Sequence, residues 1–201
     1  MIAVIDYGAG NLMSVSKALD ALECESRVTS DEADILAADK IILPGVGAFG
    51  EAIERLNGSG LSDVIRKAAG EGKPFLGICL GFQLLFDESD EAPGVSGLSL
   101  ISGKVLRIPD APGLKVPHMG WNSLNYPNEG RLFSQVDEES YVYFVHSYYV
   151  KAKERAVVTA TTQYGVDIDA SVEQGNIFGC QFHPEKSSRV GARILKNFLR
   201  L

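Results

Sequence analysis

The chain has little cysteine, no excess of positive charge and no long apolar run, and each shortage removes a class of protein. Three cysteines, Cys24, Cys79 and Cys180, in 201 residues are an odd and sparse set without a C-x-x-C pair. That excludes a disulfide framework and offers no zinc-finger spacing. Thiols used this sparingly fit a reducing cytoplasm, where they stay free for chemistry. Lys and Arg number 19 against 26 Asp and Glu, a formal charge of −7, so the basic footprint of a nucleic-acid binder is missing. No apolar stretch approaches the roughly 18–20 residues of a membrane span. The N-terminal MIAVIDYGAG lacks the basic start and long apolar centre of a signal peptide and reads as a core strand. Repeats, low-complexity tracts and linkers are absent as well. What is present is 45% hydrophobic and 22% charged residues, ordinary for a soluble protein, in a length that suits a single domain over 1–201.

The first half alternates two periodicities. Ile2 to Asp6 is a short apolar run closed by Gly8 and Gly10, and residues 11 to 22 place Leu12, Val15, Leu19 and Leu22 at helical spacing. Ser26 to Thr29 reads as a second strand and Lys40 to Leu43 as a third, stopped by Pro44-Gly45-Val46-Gly47. Ala48–Leu56 and Leu61–Ala69 read as helices, Phe75–Cys79 as a strand and Leu80–Phe86 as a helix. Strands separated by helices imply a mostly parallel sheet covered on both faces. Ligands of such sheets bind outside the carboxyl ends of the strands, so the Gly8–Gly10 loop, the PGVG loop and Cys79 are expected along one edge. The second half is richer in strands: 103–108, 141–146, 156–162, 168–173 and 177–182, with hairpins expected from the short spacings. Residues 88–97 read as a polar surface loop and 189–201 as a closing amphipathic helix.

Three segments carry candidate chemistry. In PFLGICLGFQ an apolar strand ends at Cys79, flanked by Gly77 and Gly81, and a helix follows. A sharp strand-to-helix turn holds a nucleophile at its tip and aims the first helical N–H groups beside it. The competing reading is a buried cysteine at a strand end. In QFHPE, His183 and Glu185 lie two apart and would share a face of an extended backbone, to which Pro184 biases His183. A carboxylate that orients an imidazole leaves the other ring nitrogen to serve a nucleophile as base, and a nearby imidazolium raises the thiolate fraction of a cysteine. A capped histidine before a loop is the plainer alternative. The PGVG loop offers backbone N–H groups to a developing oxyanion, with Leu80 N–H as the second donor, although a plain turn reads the same. No GKS or GKT follows to make it a phosphate loop. Together the three describe acyl transfer through a thioester. Gln83, one helical turn past Cys79, is placed to meet an amide unless it is an exposed helix residue.

GICLGFQLLF, PGVGAFG and GCQFHPEKS resemble the class I, triad-type glutamine amidotransferases, and the resemblance runs from Met1 to Leu201. DYGAGN, VPHMGWN and FVHSYYV make the chain look like the branch that serves imidazole glycerol phosphate synthesis in histidine biosynthesis. The resemblance implies hydrolysis of glutamine to glutamate and ammonia in the cytoplasm, without metal or cofactor, nucleic acid or membrane. Carried over by residue, Cys79 would be the nucleophile, His183 the general base and acid, and Glu185 its orienter. Gly47 and Leu80 N–H groups would form the oxyanion hole, after a peptide flip in the glycine loop. Gly45, Gln83, His146, Ser147 and Tyr148 would hold glutamine, and Glu91 its α-amino group. The implied partner is a (β/α)8 cyclase subunit that takes the ammonia within a heterodimer. Trp121, the lone tryptophan, is set beside Met119 and would anchor that partner if it is not core, with Asn11 and Lys186 facing it too. Phe82 stands where relatives often carry Met, without consequence for the chemistry. A glutaminase serving another synthase, and a non-catalytic binding module on the same fold, are the alternatives.

Overall fold

A computed structural model describes residues 1–201. The first half runs β1 (Ile2–Ile5), α1 (Leu12–Asp20), β2 (Ser26–Thr29), α2 (Glu32–Ala37), β3 (Lys40–Gly45), α3 (Phe49–Gly58), α4 (Leu61–Gly70), β4 (Phe75–Cys79) and α5 (Leu80–Gln83). The second half adds β5 (Glu88–Ser89), β6 (Gly103–Arg107), β7 (His118–Ser123), β8 (Tyr141–His146), β9 (Tyr148–Ala152), β10 (Val158–Tyr164), β11 (Val166–Gln174), β12 (Ile177–Cys180) and α6 (Ser188–Leu199). Seven strands form the central sheet in the order β10-β11-β12-β4-β3-β1-β2. The pairs from β12 to β2 are parallel, and β10 and β11 are antiparallel. No helix is long and apolar enough to cross a membrane.

The apolar runs of β1, β3 and β4 are continuous because both sides of these strands are covered, as parallel sheets require. Ala3, Ile5, Ile41, Leu43 and Phe75 pack on one face with α2, α3 and α4. Ile2, Val4, Ile42, Leu76 and Ile78 pack on the other with α1 and α6. Each large side chain so buried is worth about 1.5–3 kcal/mol, and a one-residue slip would exchange the two sets, so the register is fixed. Parallel pairing brings the carboxyl ends of β3 and β4 level, with Gly45 opposite Cys79, and Gly10 beside Pro44. The expected common edge is therefore present.

Several boundaries differ from the sequence expectation. The helix expected over Leu80–Phe86 stops at Gln83, because the carbonyls of Leu84, Leu85 and Phe86 accept from the N–H groups of Leu98, Leu100, Ile101 and Ser99 instead of continuing the helix. Glu88–Ser89, inside the expected surface loop, pairs with β6 as a short strand. β7 and β9 were not foreseen, and β7 pairs antiparallel with β8 in a separate two-stranded sheet. α2 is a further unforeseen element, although its signal is local: the Asp31 side chain accepts from Asp34 N–H, an N-cap.

Candidate active site

β4 delivers Cys79 to the sheet edge and α5 begins at the next residue. Cys79 has φ 56° and ψ −111°, a conformation L-residues rarely adopt and one that persists only where the surroundings enforce it. The thiol donates toward Val145 O at 3.8 Å and receives from Gln181 Nε2 at 3.9 Å. Cys180, by contrast, is fully buried in the core, and burial pushes its thiol up to about 12.

His183 follows β12, and its N–H donates to Tyr143 O at 2.9 Å. His183 is extended, at φ −98° and ψ 98°, as the following proline biases it to be, but Glu185 does not share an extended face with it: Pro184–Lys186 is a single 3-10 turn. The turn folds Glu185 back so that Oε1 lies 2.8 Å from His183 Nδ1. Proline removes a backbone donor and fixes φ at the first position of that turn. The His183 and Glu185 side chains are 2% and 1% exposed, and His183 Nε2 is left without a hydrogen-bond partner. Burial lowers the His183 pKa, but negative charge on the Cys79 sulfur and on the Glu185 carboxylate more than offsets it and raises it to about 9.

Cys79 and His183 share a cavity of about 370 Å³ with Gly47, Leu80, Gln83, Glu91, His146, Ser147 and Tyr148. Sequence reasoning had singled out each of these. Gly45 lies behind this wall: a Cβ there would stand 2.6 Å from Gly81 N and 2.8 Å from Tyr7 Oη. Gln83 is buried rather than exposed. Its Nε2 donates to Tyr148 O at 2.8 Å and Gln181 Oε1 at 3.0 Å, leaving Oε1 for a ligand. Glu91 Oε2 accepts from Phe49 N–H at 2.8 Å, at the start of α3. Sequence reasoning missed Gln181, which gives no local signal beyond a polar residue between an apolar strand and the HPE segment. It also missed Tyr7, whose buried hydroxyl has no partner beneath Gly45. Burial, then the Cys79 charge, raise the Tyr7 pKa.

The outer rim is apolar on one side. Met119 is 62% and Trp121 52% exposed, so Trp121 is not core. Both point away from the protein on β7, opposite Val145 and Tyr143 of β8, with exposed Tyr141 on the same face. Asn11 lines a narrow crevice with His183 and Glu185, and Lys186 is exposed on the turn beyond Glu185.

Three histidines give stability a two-sided pH dependence. Burial lowers His118 to about 4. Burial also lowers His146 to about 3, with the Tyr148 carbonyl opposing it and His118 and His183 adding to it. The unfolded rings titrate near 6.5. The contribution of these two rings is therefore present above that value and is lost as pH falls through about 4 and about 3. His183 acts oppositely: its contribution is full below the ordinary value and is lost as pH rises through about 9. Urea midpoints measured across pH should peak near neutrality. A midpoint still rising on acidification below pH ~5 would contradict the neutral buried pair.

Residues 3–201 match the family described as glutamine amidotransferase class-I. The imidazole glycerol phosphate synthase subunit HisH of Moorella thermoacetica is 54% identical over 197 residues, covering 98% of this chain and 93% of that protein. The subunit of that name from Methanothermobacter thermautotrophicus is 50% identical over 201 residues, covering 100% and 98%. A solved structure described as a glutamine amidotransferase aligns with a TM-score of 0.78 at 21% identity, covering 100% of this chain and 98% of its own. The PurLQS structure from Thermotoga maritima aligns at 0.74 and 23%, covering 99% and 97%.

Proposed function

Since the chain belongs to the class I glutamine amidotransferases, among the HisH subunits of imidazole glycerol phosphate synthase, we propose that it hydrolyses glutamine and passes the ammonia to a cyclase subunit in histidine biosynthesis. The observation that carries this reading is Cys79, held at positive φ in the wall of a cavity that it shares with His183, itself bonded to Glu185.

The Cys79 thiolate attacks the side-chain carbonyl carbon of glutamine while His183 is in its imidazolium form. The N–H groups of Gly47 and Leu80 take the oxyanion, and each such donor is worth roughly 3 kcal/mol, or ~100-fold in rate. His183 gives its proton to the departing ammonia as the tetrahedral intermediate collapses to the γ-glutamyl thioester. It then removes a proton from water. The hydroxide adds to the thioester carbonyl, and collapse expels the Cys79 thiolate and leaves glutamate. Glu185 keeps the Nδ1–H tautomer of His183 in place throughout. Gln83 Oε1 and the His146–Ser147–Tyr148 wall receive the carboxamide end, and the Glu91 carboxylate receives the α-ammonium.

The partner is a (β/α)8 cyclase subunit forming a cytoplasmic heterodimer. Met119, Trp121 and Tyr141 give it an apolar seat on the outer face of the β7–β8 pair. Asn11 and Lys186 meet it next to the His183–Glu185 turn. Glutamate release with and without the purified cyclase tests the function. Release that requires the cyclase supports it, and recovery of a different synthase with no binding to the cyclase refutes it. Trp121→Ala removes an exposed aromatic anchor, so it should weaken association by about 30-fold or more while leaving the melting temperature unchanged. Unaltered affinity by titration calorimetry would exclude the anchor role.

A further inference from the structure

His118 lies on the inward side of β7, 2% exposed. Its ring is stacked on Tyr164 at 3.9 Å and Phe144 at 4.7 Å between centroids. The direction of every hydrogen bond around it follows from one end. The Tyr148 carbonyl can only accept, so His146 Nδ1, 2.8 Å away, carries the proton. Burial keeps the His146 ring neutral, so its Nε2 is an acceptor, and His118 Nδ1 at 3.0 Å must donate to it. His118 Nε2 then accepts from Asn122 Nδ2 at 3.3 Å, which also donates to Gln163 O at 3.0 Å.

This relay does not stop at Tyr148. The Tyr148 carbonyl also holds Gln83 Nε2, which reaches Gln181 Oε1, and Gln181 Nε2 reaches the Cys79 sulfur. The strand whose outer side carries Met119 and Trp121 is thus tied, through its inner side, to the cavity wall and the nucleophile.

We propose that His118 is a positioning residue for glutamine hydrolysis: its Nδ1–H locks the ring of His146, and with it the Tyr148 carbonyl, in the arrangement that receives the substrate side chain. Without that donor, His146 Nε2 is a buried acceptor left unpaired, the costly state for a polar group. The ring then gains by rotating or exchanging tautomer, which turns a lone pair toward the Tyr148 carbonyl and moves the wall. The inference rests on the reading of the cavity as a glutamine site.

Two substitutions of similar polarity separate positioning from packing. His118→Asn places an amide where Nδ1 was and keeps the donor to His146, whereas His118→Gln places it where Nε2 was. Both lose the same aromatic stack. Assayed for glutamate release in complex with the cyclase subunit, the Asn variant should keep its KM for glutamine within about threefold. The Gln variant should raise it about tenfold or more, with kcat little changed in either. Equal KM values in the two variants would overturn the proposal. A second measurement needs neither activity nor a stable variant. The chain has only three histidines, and a nitrogen-15 histidine spectrum of the wild type at neutral pH should show two neutral rings protonated at Nδ1. A neutral Nε2–H ring at His118 or His146 would overturn the relay. Absence of glutamate release from the wild-type complex would instead remove the functional reading while the spectrum still judged the relay.

Discussion

Cys79→Ala should reduce glutamate release by about 10⁴-fold or more and leave the fold standing. The nucleophile has no substitute: the two other cysteines lie elsewhere, Cys24 beside Glu25 and Cys180 sealed in the core. Removing the sulfur breaks no short polar contact, since its two are long, at 3.8 and 3.9 Å. The backbone at this position separates the chemical role from a structural one. A cysteine kept only for burial gains nothing from φ 56°, which costs a residue with a Cβ roughly 1–2 kcal/mol. Cys79→Gly should therefore be as inactive as the alanine variant yet more stable by about 1 kcal/mol. Partner-stimulated glutamate release that survives in Cys79→Ala, measured by coupled assay, would dispose of the thioester mechanism.

Gly81→Ala should be among the most damaging small substitutions away from the reacting atoms. A Cβ at Gly81 would stand 1.8 Å from Leu43 O and 2.8 Å from its carbonyl carbon. Both are backbone atoms of the central strand β3, so no side chain can swing away. Relief requires α5 to move off β3, which moves Leu80 N–H and the strained Cys79 along with it. Overpacking on this scale costs about 3 kcal/mol or more, and the surviving folded protein should lose activity through a displaced oxyanion donor. Gly58→Ala provides the contrast. It ends α3 at an ordinary φ with nothing within 4 Å, and it should be neutral or stabilise by about 0.5 kcal/mol. Urea melts compare the two directly, and an unchanged midpoint in Gly81→Ala would mean the strand-to-helix turn tolerates the movement.

The legible parts of the fold were those whose signal is local. β1, β3 and β4 are buried on both faces, so their apolar runs read as strands without further information. β7 escaped because its pattern is inside out. Polar His118 and Asn122 face inward and apolar Met119 and Trp121 face outward, so the alternation carries no inward apolar face to recognise. β8 and β9 are separated by Ser147 alone and belong to different sheets, a division that no property of FVHSYYV announces. The end of α5 was invisible for another reason: the carbonyls of Leu84–Phe86 are claimed by a loop a dozen or more residues on.

By itself the sequence determined which residues are candidates for chemistry and in what order along the sheet edge they occur. Cys79 after a buried strand, the PGVG turn and the His-Pro-Glu segment are each short-range patterns, and the covalent chain fixes them. The tertiary structure decided what those side chains touch. Glu185 reaches His183 through a 3-10 turn rather than a shared strand face. Gln83 spends its amide hydrogens on Tyr148 and Gln181, and Gly45 withdraws behind the wall. Two remote histidines, His118 and His146, meet at 3.0 Å. Hydrogen bonds are satisfied over ångströms and burial is collective, so partners distant in the chain are chosen only when the sheets close around them.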